Sequence, residues 1–259
     1  MKIMKKLIAA AALVTLTLSL LAGCAEKAPA GGDTGDGDEK QTLVMATNAQ
    51  FPPYEYYDGD NIVGIDAEVA ALIADKLGME LEIADIEFDS IVPGVQQGKY
   101  DMGMAGMTVN DERLEKVNFT SSYAKGVQVV IVKEDSEIKS IDDLEGKTIG
   151  AQQGTTGAIY AADDYGSDNV TTYASGNLAV EGLKTGKVDC VIIDNEPAKA
   201  YVKANTGLKI LDTEYANEDY AIAIAKDNTE LMEKVNTALE ELIANGELQK
   251  IVDKYIPAE

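Results

Sequence analysis

From residue 42 onward, short apolar runs alternate with amphipathic stretches, and that alternation leaves few folds open. "TLVMAT" (42–47) reads as a strand. "DAEVAALIADKLG" (66–78) spaces its apolar residues by three and four and closes on glycine, which predicts a helix with a glycine C-cap. "ELEIADI" (80–86) is a strand, "DSIVPGVQQG" (89–98) a short helix with Pro93 in its first turn, and "YDMGMA" (100–105) a short strand. The pattern continues with "VQVVIVK" (127–133) as a strand, "SIDDLEG" (140–146) as a short capped helix, and "TIGAQ" (148–152) as a strand before a helix in "GTTGAIYAADDYG" (154–166). "NLAVEGLKTG" (177–186) and "EPAKAYVKAN" (196–205) read as helices around the strand "VDCVIID" (188–194). "DYAIAIAK" (219–226) is expected as one strand, and residues 228–256 as two helices broken near Asn245-Gly246. Such an order means an α/β fold with a largely parallel sheet. Two segments share the same element order, which favours two similar lobes. Ligands of such folds sit on the loops at the carboxyl ends of strands.

Charge and composition narrow the partners. The formal net charge of −23 argues against nucleic acid, whose phosphates need basic patches. There is no histidine, so His-based triads and His metal ligands are excluded, and neither a metal nor a cofactor is expected. Lys2, Lys5 and Lys6 precede an apolar run over 7–22 that is shorter than the ~20 residues of a membrane-spanning helix. The run ends in "LAGC" (21–24), which resembles a bacterial lipobox. Residues 1–23 therefore read as a lipoprotein signal peptide, Cys24 as the lipidated residue, and the Gly/Asp-rich 24–41 as a flexible tether. With Cys24 lipidated, the other cysteine, Cys190, is left as a buried thiol in an apolar strand.

Lys and Arg together number 22, yet Arg113 is the only arginine. A planar guanidinium grips a carboxylate bidentately, which lysine cannot do; the bland alternative is a surface ion pair. Arg113 follows "MAGMT" (104–108), where Gly106 would let a ligand approach the backbone, Thr108 offers a hydroxyl, and Asn110 or Asp111 could cap the helix carrying the arginine. "QQGTTG" (152–157) joins a strand to a helix and offers free N–H groups at the positive end of a helix dipole, or merely a capped helix start. Asp194 ends a buried-looking strand, either as an acceptor for an ammonium or as the N-cap of the next helix. Phe51 and Phe88, two of three phenylalanines, fall in loops after strands and would serve as aromatic walls or as core. One arginine and one aspartate around aromatic walls match the charge pattern of a free α-amino acid.

"ATNAQFPPYEY", "GIDAEVAALIADKLG", "FDSIVPGVQQGKYDMGMAGMTVNDERLEKVNFT", "LEGKTIGAQQGTT" and "VDCVIIDNEPA" occur in an order that resembles the family 3 extracellular solute-binding proteins, the amino-acid-binding lipoproteins of ABC importers. The resemblance covers about residues 42–257. It implies a two-lobed periplasmic-binding-protein type 2 (Venus-flytrap) fold with two hinge crossings, lobe 1 being 42–126 and 222–257 and lobe 2 being 127–221. By position it implies that Arg113 clamps the ligand α-carboxylate with the backbone at Thr155 and Thr156. Asp194 would bind the α-ammonium with Thr108 and the Gly106 carbonyl, and Phe51 and Phe88 would stack on the side chain. Asn48 and Gln152 would tune specificity. Asn48 stands where members binding cationic amino acids often have aspartate, and Ala105-Gly106 where some have a serine pair. Both tilt the expectation toward a neutral polar ligand such as glutamine. The resemblance further implies a monomer that delivers its ligand to a membrane permease, outside the cytoplasm and anchored by lipid. Two other readings stay open. One is a cyclohexadienyl-dehydratase-like enzyme, which would need a general acid, with Glu55 and Glu196 the nearest candidates. The other is a binding protein read by a separate sensor.

Overall fold

The structure, a computed structural model, describes residues 40–257. The signal segment and Cys24 lie outside the described residues, as does the tether up to residue 39.

The chain runs through strand β1 (Thr42–Thr47), the short strands β2 (Gln50–Phe51), β3 (Glu55–Asp58) and β4 (Asn61–Val63), helix α1 (Ile65–Leu77) and strand β5 (Glu80–Asp85). Next come α2 (Ile91–Gln96), β6 (Met102–Gly103), α3 (Asp111–Lys116), β7 (Val117–Phe119) and the long strand β8 (Ala124–Lys133). The second half holds β9 (Ile149–Gln152), α4 (Thr156–Tyr165), β10 (Val170–Tyr173), α5 (Gly176–Lys184), β11 (Cys190–Asp194), α6 (Asn195–Ala204), β12 (Leu208–Ile210) and β13 (Ala216–Tyr220). The chain ends with β14 (Ala223–Ala225), α7 (Thr229–Ala244) and α8 (Glu247–Tyr255).

Two sheets form the centres of two lobes. The first has the order β5-β1-β6-β14-β7, and the second β10-β9-β11-β8-β12 with β13 also on β8. The expected largely parallel sheet is corrected to two mixed sheets. β1 pairs in parallel with β5 and β6, but β14 runs antiparallel to β6 and β7. Likewise β8 runs antiparallel to β11, β12 and β13. The antiparallel strands are those adjoining the passages between sheets, where the chain enters from the other lobe instead of through a βαβ crossover.

Those passages also correct the expectation of one strand over 219–226. Residues 221 and 222 separate β13 in the second sheet from β14 in the first. The outward passage lies between β7 and β8, and the two are bonded side by side. The Tyr123 N–H donates to the Tyr220 carbonyl (2.9 Å) and the Thr120 N–H to the Ile222 carbonyl (3.1 Å). Two short bonded segments joining two packed lobes are the layout of a hinge.

Each lobe has its own apolar interior. In the first, α1 and α7 cover one sheet face; α7 buries Val235, Ala238, Leu239 and Leu242, a three-four spacing that places one apolar stripe inward. Gly78 closes α1 in the left-handed conformation (φ 70°), as the sequence predicts. In the second, Val129 and Ile131 of β8 pack with Val191 and Ile193 of β11 and with α5, while Cys190 is buried and its thiol pushed up to about 12 by burial. No described helix is long and apolar enough to cross a membrane.

A cavity between the lobes

The carboxyl ends of β1, β9 and β11 and the loops after β5 and β6 converge on one narrow cavity of about 20 Å³. All eleven residues singled out from the sequence line it: Asn48, Phe51, Phe88, Ala105, Gly106, Thr108, Arg113, Gln152, Thr155, Thr156 and Asp194. Glu55, Gln128, Ile192 and Ile193 line it too. A free amino acid does not fit so small a space, so entry requires the lobes to part at the hinge.

Arg113 is held from both lobes. Asn110 caps α3, its side chain accepting from the Arg113 N–H at 2.8 Å, which fixes where the arginine leaves the helix. Its Nη1 donates to the Thr108 carbonyl (2.6 Å) and its Nη2 to the Gly154 carbonyl across the cleft (3.0 Å). Its guanidinium carbon lies 5.4 Å from the centre of the Phe88 ring. Arg113 is 7% exposed and forms no ion pair among the described residues, so the surface ion-pair alternative is not what the structure shows. Burial holds its pKa below the usual arginine value, opposed first by Glu218.

Asp194 immediately precedes α6 but makes no side-chain capping bond to it. Instead it accepts from Gln128 Nε2 (2.8 Å) and from the Tyr220 hydroxyl. Gln128 Nε2 also donates to Glu218 (2.9 Å), so one amide holds two buried carboxyls. Burial, then Glu218, pushes Asp194 well above the usual carboxylate range. An approaching ammonium would relieve that penalty.

The remaining lining residues close the cavity. Gln152 Nε2 bonds Asn48 Oδ1 across the cleft (2.8 Å), and Asn48 Nδ2 bonds the Ile86 carbonyl (2.8 Å). Thr155 caps α4, accepting from the Ala158 N–H, so the capped-start reading of "QQGTTG" holds beside its place in the cavity. Thr108 and Thr156 hydroxyls lie 3.5 Å apart across the cleft. Gly106 has φ 52°, and a Cβ there would stand 2.7 Å from the Phe51 ring; both conditions call for glycine. Outside the cavity lining, Tyr201 donates to the Gln50 carbonyl (2.5 Å) and Gln153 to Asp89 (2.6 Å), further bonds that hold the lobes together.

Behind Gly106 lies a second acidic group. Asp66, fully buried, accepts from the Gly106 N–H (2.9 Å) and the Tyr123 hydroxyl (2.8 Å). Burial pushes its carboxyl up to about 6. The folded protein thus holds this proton more tightly than the unfolded chain does. Its stabilising contribution is whole below about pH 4 and is lost as pH rises through about 6. Asp66→Asn is therefore expected to gain stability relative to the unaltered protein as pH rises from 4 to 7. Urea unfolding of both at several pH values checks this, and a difference independent of pH would contradict it.

Residues 43–258 match the model of the bacterial extracellular solute-binding proteins, family 3. The chain belongs to that family. It is a solute-binding protein, not an enzyme, and its homologues serve ABC transporters. The arginine-binding extracellular protein ArtP of Bacillus subtilis is 36% identical, over 93% of this chain and 98% of that one. An ancestral arginine-binding protein solved with arginine bound is 40% identical, with a TM-score of 0.78, over 84% of this chain and 99% of that one. A structure of an ancestral arginine-binding protein bound to glutamine is 39% identical, also at a TM-score of 0.78, over 85% and 99%. These family members share the type 2 periplasmic-binding architecture described above.

Proposed function

We propose that this protein binds a free polar L-amino acid between its lobes, outside the cytoplasm, and presents the closed form to an ABC importer. One observation carries the reading: a buried guanidinium without an ion-pair partner among the described residues and a buried carboxyl that makes no capping bond line the same cavity. Arg113 takes the α-carboxylate, supported by the N-terminus of α4 at Thr155 and Thr156, whose first N–H groups have no partner within the helix. Asp194 takes the α-ammonium with Thr108 and the Gly106 carbonyl. Phe51 and Phe88 flank the side chain. The ligand's bonds to both lobes favour closure by the difference in its affinity for the closed and open forms. Residues 127–221 move as the second lobe. The order of basic residues, apolar run and "LAGC" supports a tether through lipidated Cys24, and the protein acts as a monomer.

Asn48 supports a neutral side chain such as that of glutamine, and a structural relative was solved with glutamine. Other relatives are named for arginine, and Glu55 in the cavity supports that direction.

A thermal-shift panel of the twenty L-amino acids with cystine and ornithine on the purified protein tests the class. Ligand at a hundred times its Kd adds about 2.7 kcal/mol, which raises Tm by roughly 5–10 °C. Shifts of that size with one or a few polar amino acids are expected, and a flat panel would contradict the reading.

A further inference from the structure

Glu218 lies in the middle of β13, the strand that leads into the return passage of the hinge, and it is buried although its strand neighbours Asn217 and Asp219 are exposed. Its carboxyl meets neutral donors: Gln128 Nε2 of the paired strand β8 (2.9 Å) and the Tyr160 hydroxyl of α4. It joins no ion pair among the described residues. Burying a carboxylate against neutral donors costs stability that an amide of the same shape would not. The fold alone gives no reason for a glutamate here.

The reason lies one amide away. Gln128 Nε2 donates to Glu218 and also to Asp194 (2.8 Å), which lines the cavity. Two carboxyl oxygens on one nitrogen lie inside the ~6 Å over which like charges act on each other's protonation. Two buried carboxyls so placed hold one proton between them until a cation arrives. The other groups facing the pair do not supply that cation. Arg113 of α3 directs its bonds to the Thr108 and Gly154 carbonyls. Tyr160 of α4 and Tyr220 of β13 offer neutral hydroxyls, and Tyr54, before β3, keeps its proton. Glu55 of β3 is a further carboxyl.

We propose that Glu218 is a positioning residue of the ammonium site: held beside Asp194 through Gln128, it makes the two carboxyls carry one proton in the free protein and release it when an α-ammonium binds. The inference rests on the amino-acid reading of the site. The exchange balances: the proton leaves the Asp194–Glu218 pair for solvent, and the ammonium donates its N–H bonds to Asp194 in its place. Glu218 never touches the ligand; its charge acts across Gln128. Burial, then Glu218, pushes the Asp194 carboxyl well above its usual range, in keeping with that arrangement. Affinity then rises with pH, about tenfold per pH unit for each proton released, until the pair is ionised without ligand.

Titration calorimetry tests this with whichever of the twenty L-amino acids binds most tightly, between pH 5 and pH 8 and in buffers of different ionisation enthalpy. The unaltered protein is expected to release protons on binding and to bind about tenfold more tightly at pH 7 than at pH 5. Glu218→Gln keeps the shape and removes the charge. It is expected to release fewer protons and to show a flatter pH profile, falling furthest below the unaltered protein at pH 8 and meeting it near pH 5. Protons from the ligand, from Glu55 or from Asp66 are common to both proteins and cancel in the comparison. A merely structural role for Glu218 would lower affinity alike at every pH. Equal proton release and equal pH slopes in the two proteins therefore overturn the inference and leave the amino-acid reading intact. Should Glu218→Gln fail to fold, Glu218→Ala, which leaves room for water beside Gln128, takes its place. An unaltered protein that releases no proton and binds equally from pH 5 to pH 8 overturns the inference without any variant. No binding by any of the twenty amino acids overturns both readings.

Discussion

Arg113→Ala weakens ligand binding by a few hundredfold or more and leaves the fold nearly as stable. Removing one partner of a desolvated ion pair costs about 3–5 kcal/mol, and each 1.4 kcal/mol is tenfold in Kd. The cost is large here because the bound carboxylate would sit where water cannot replace the guanidinium. Lysine does not restore it, since a point charge on a flexible stem cannot hold the Thr108 and Gly154 carbonyls and a carboxylate in one plane. Stability changes little because the arginine gives the fold only two hydrogen bonds to neutral carbonyls and its packing on Phe88. Calorimetry with the best ligand of the panel, together with a thermal melt of the unliganded variant, checks both halves. Wild-type affinity in Arg113→Ala would remove the carboxylate clamp from the account.

Gly64→Ala has the largest expected effect on stability, about 3–5 kcal/mol. Gly64 lies between β4 and α1 with φ 127°, a conformation L residues rarely adopt. A Cβ there would stand 2.2 Å from the Tyr54 carbonyl oxygen, which is backbone and cannot swing aside. That carbonyl accepts the Asp66 N–H at 2.9 Å, and the Pro53 carbonyl accepts the Ile65 N–H at 3.1 Å. Moving it disturbs Glu55 and Asp66 together. Gly59→Ala is the control: its φ is also positive (62°), but nothing lies within 4 Å, so it costs only about 1–2 kcal/mol of backbone strain. Chemical denaturation of the two variants checks the contrast, and equal costs would contradict it.

Much of the cavity was legible because its residues carry chemistry that local sequence displays. A lone arginine among lysines, a glycine-threonine turn before a helix and an aspartate ending an apolar strand are each readable without the fold. Other residues were not. Glu55 was offered by the sequence only as a candidate acid for the enzyme reading; that "PPYEYY" feeds a three-stranded sheet and turns the glutamate inward onto the cavity was not visible in it. Glu218 sits in "ANEDY" between residues that reach solvent, and only its pairing through Gln128 shows why it is buried. Gln128 did offer a signal, as one polar residue inside the apolar run "VQVVIVK". A polar side chain buried in a strand needs a partner, and its partners turned out to be two of the carboxyls around the cavity. The break between β13 and β14 escaped because "DYAIAIAK" alternates smoothly through it. Strand period reports which face is buried, not which sheet a residue joins. The Glu196 carboxyl, a candidate acid from sequence, is bonded to Lys199 at 2.8 Å.

The proposed function requires recognition of both charged ends of a free amino acid. The direct measurement is calorimetric affinity for the best ligand of the panel against its N-acetyl and its carboxamide derivatives. Loss of at least a hundredfold with either end blocked is the expected result, because Asp194 then meets no ammonium or Arg113 no carboxylate. Comparable affinity for either blocked form would contradict the account.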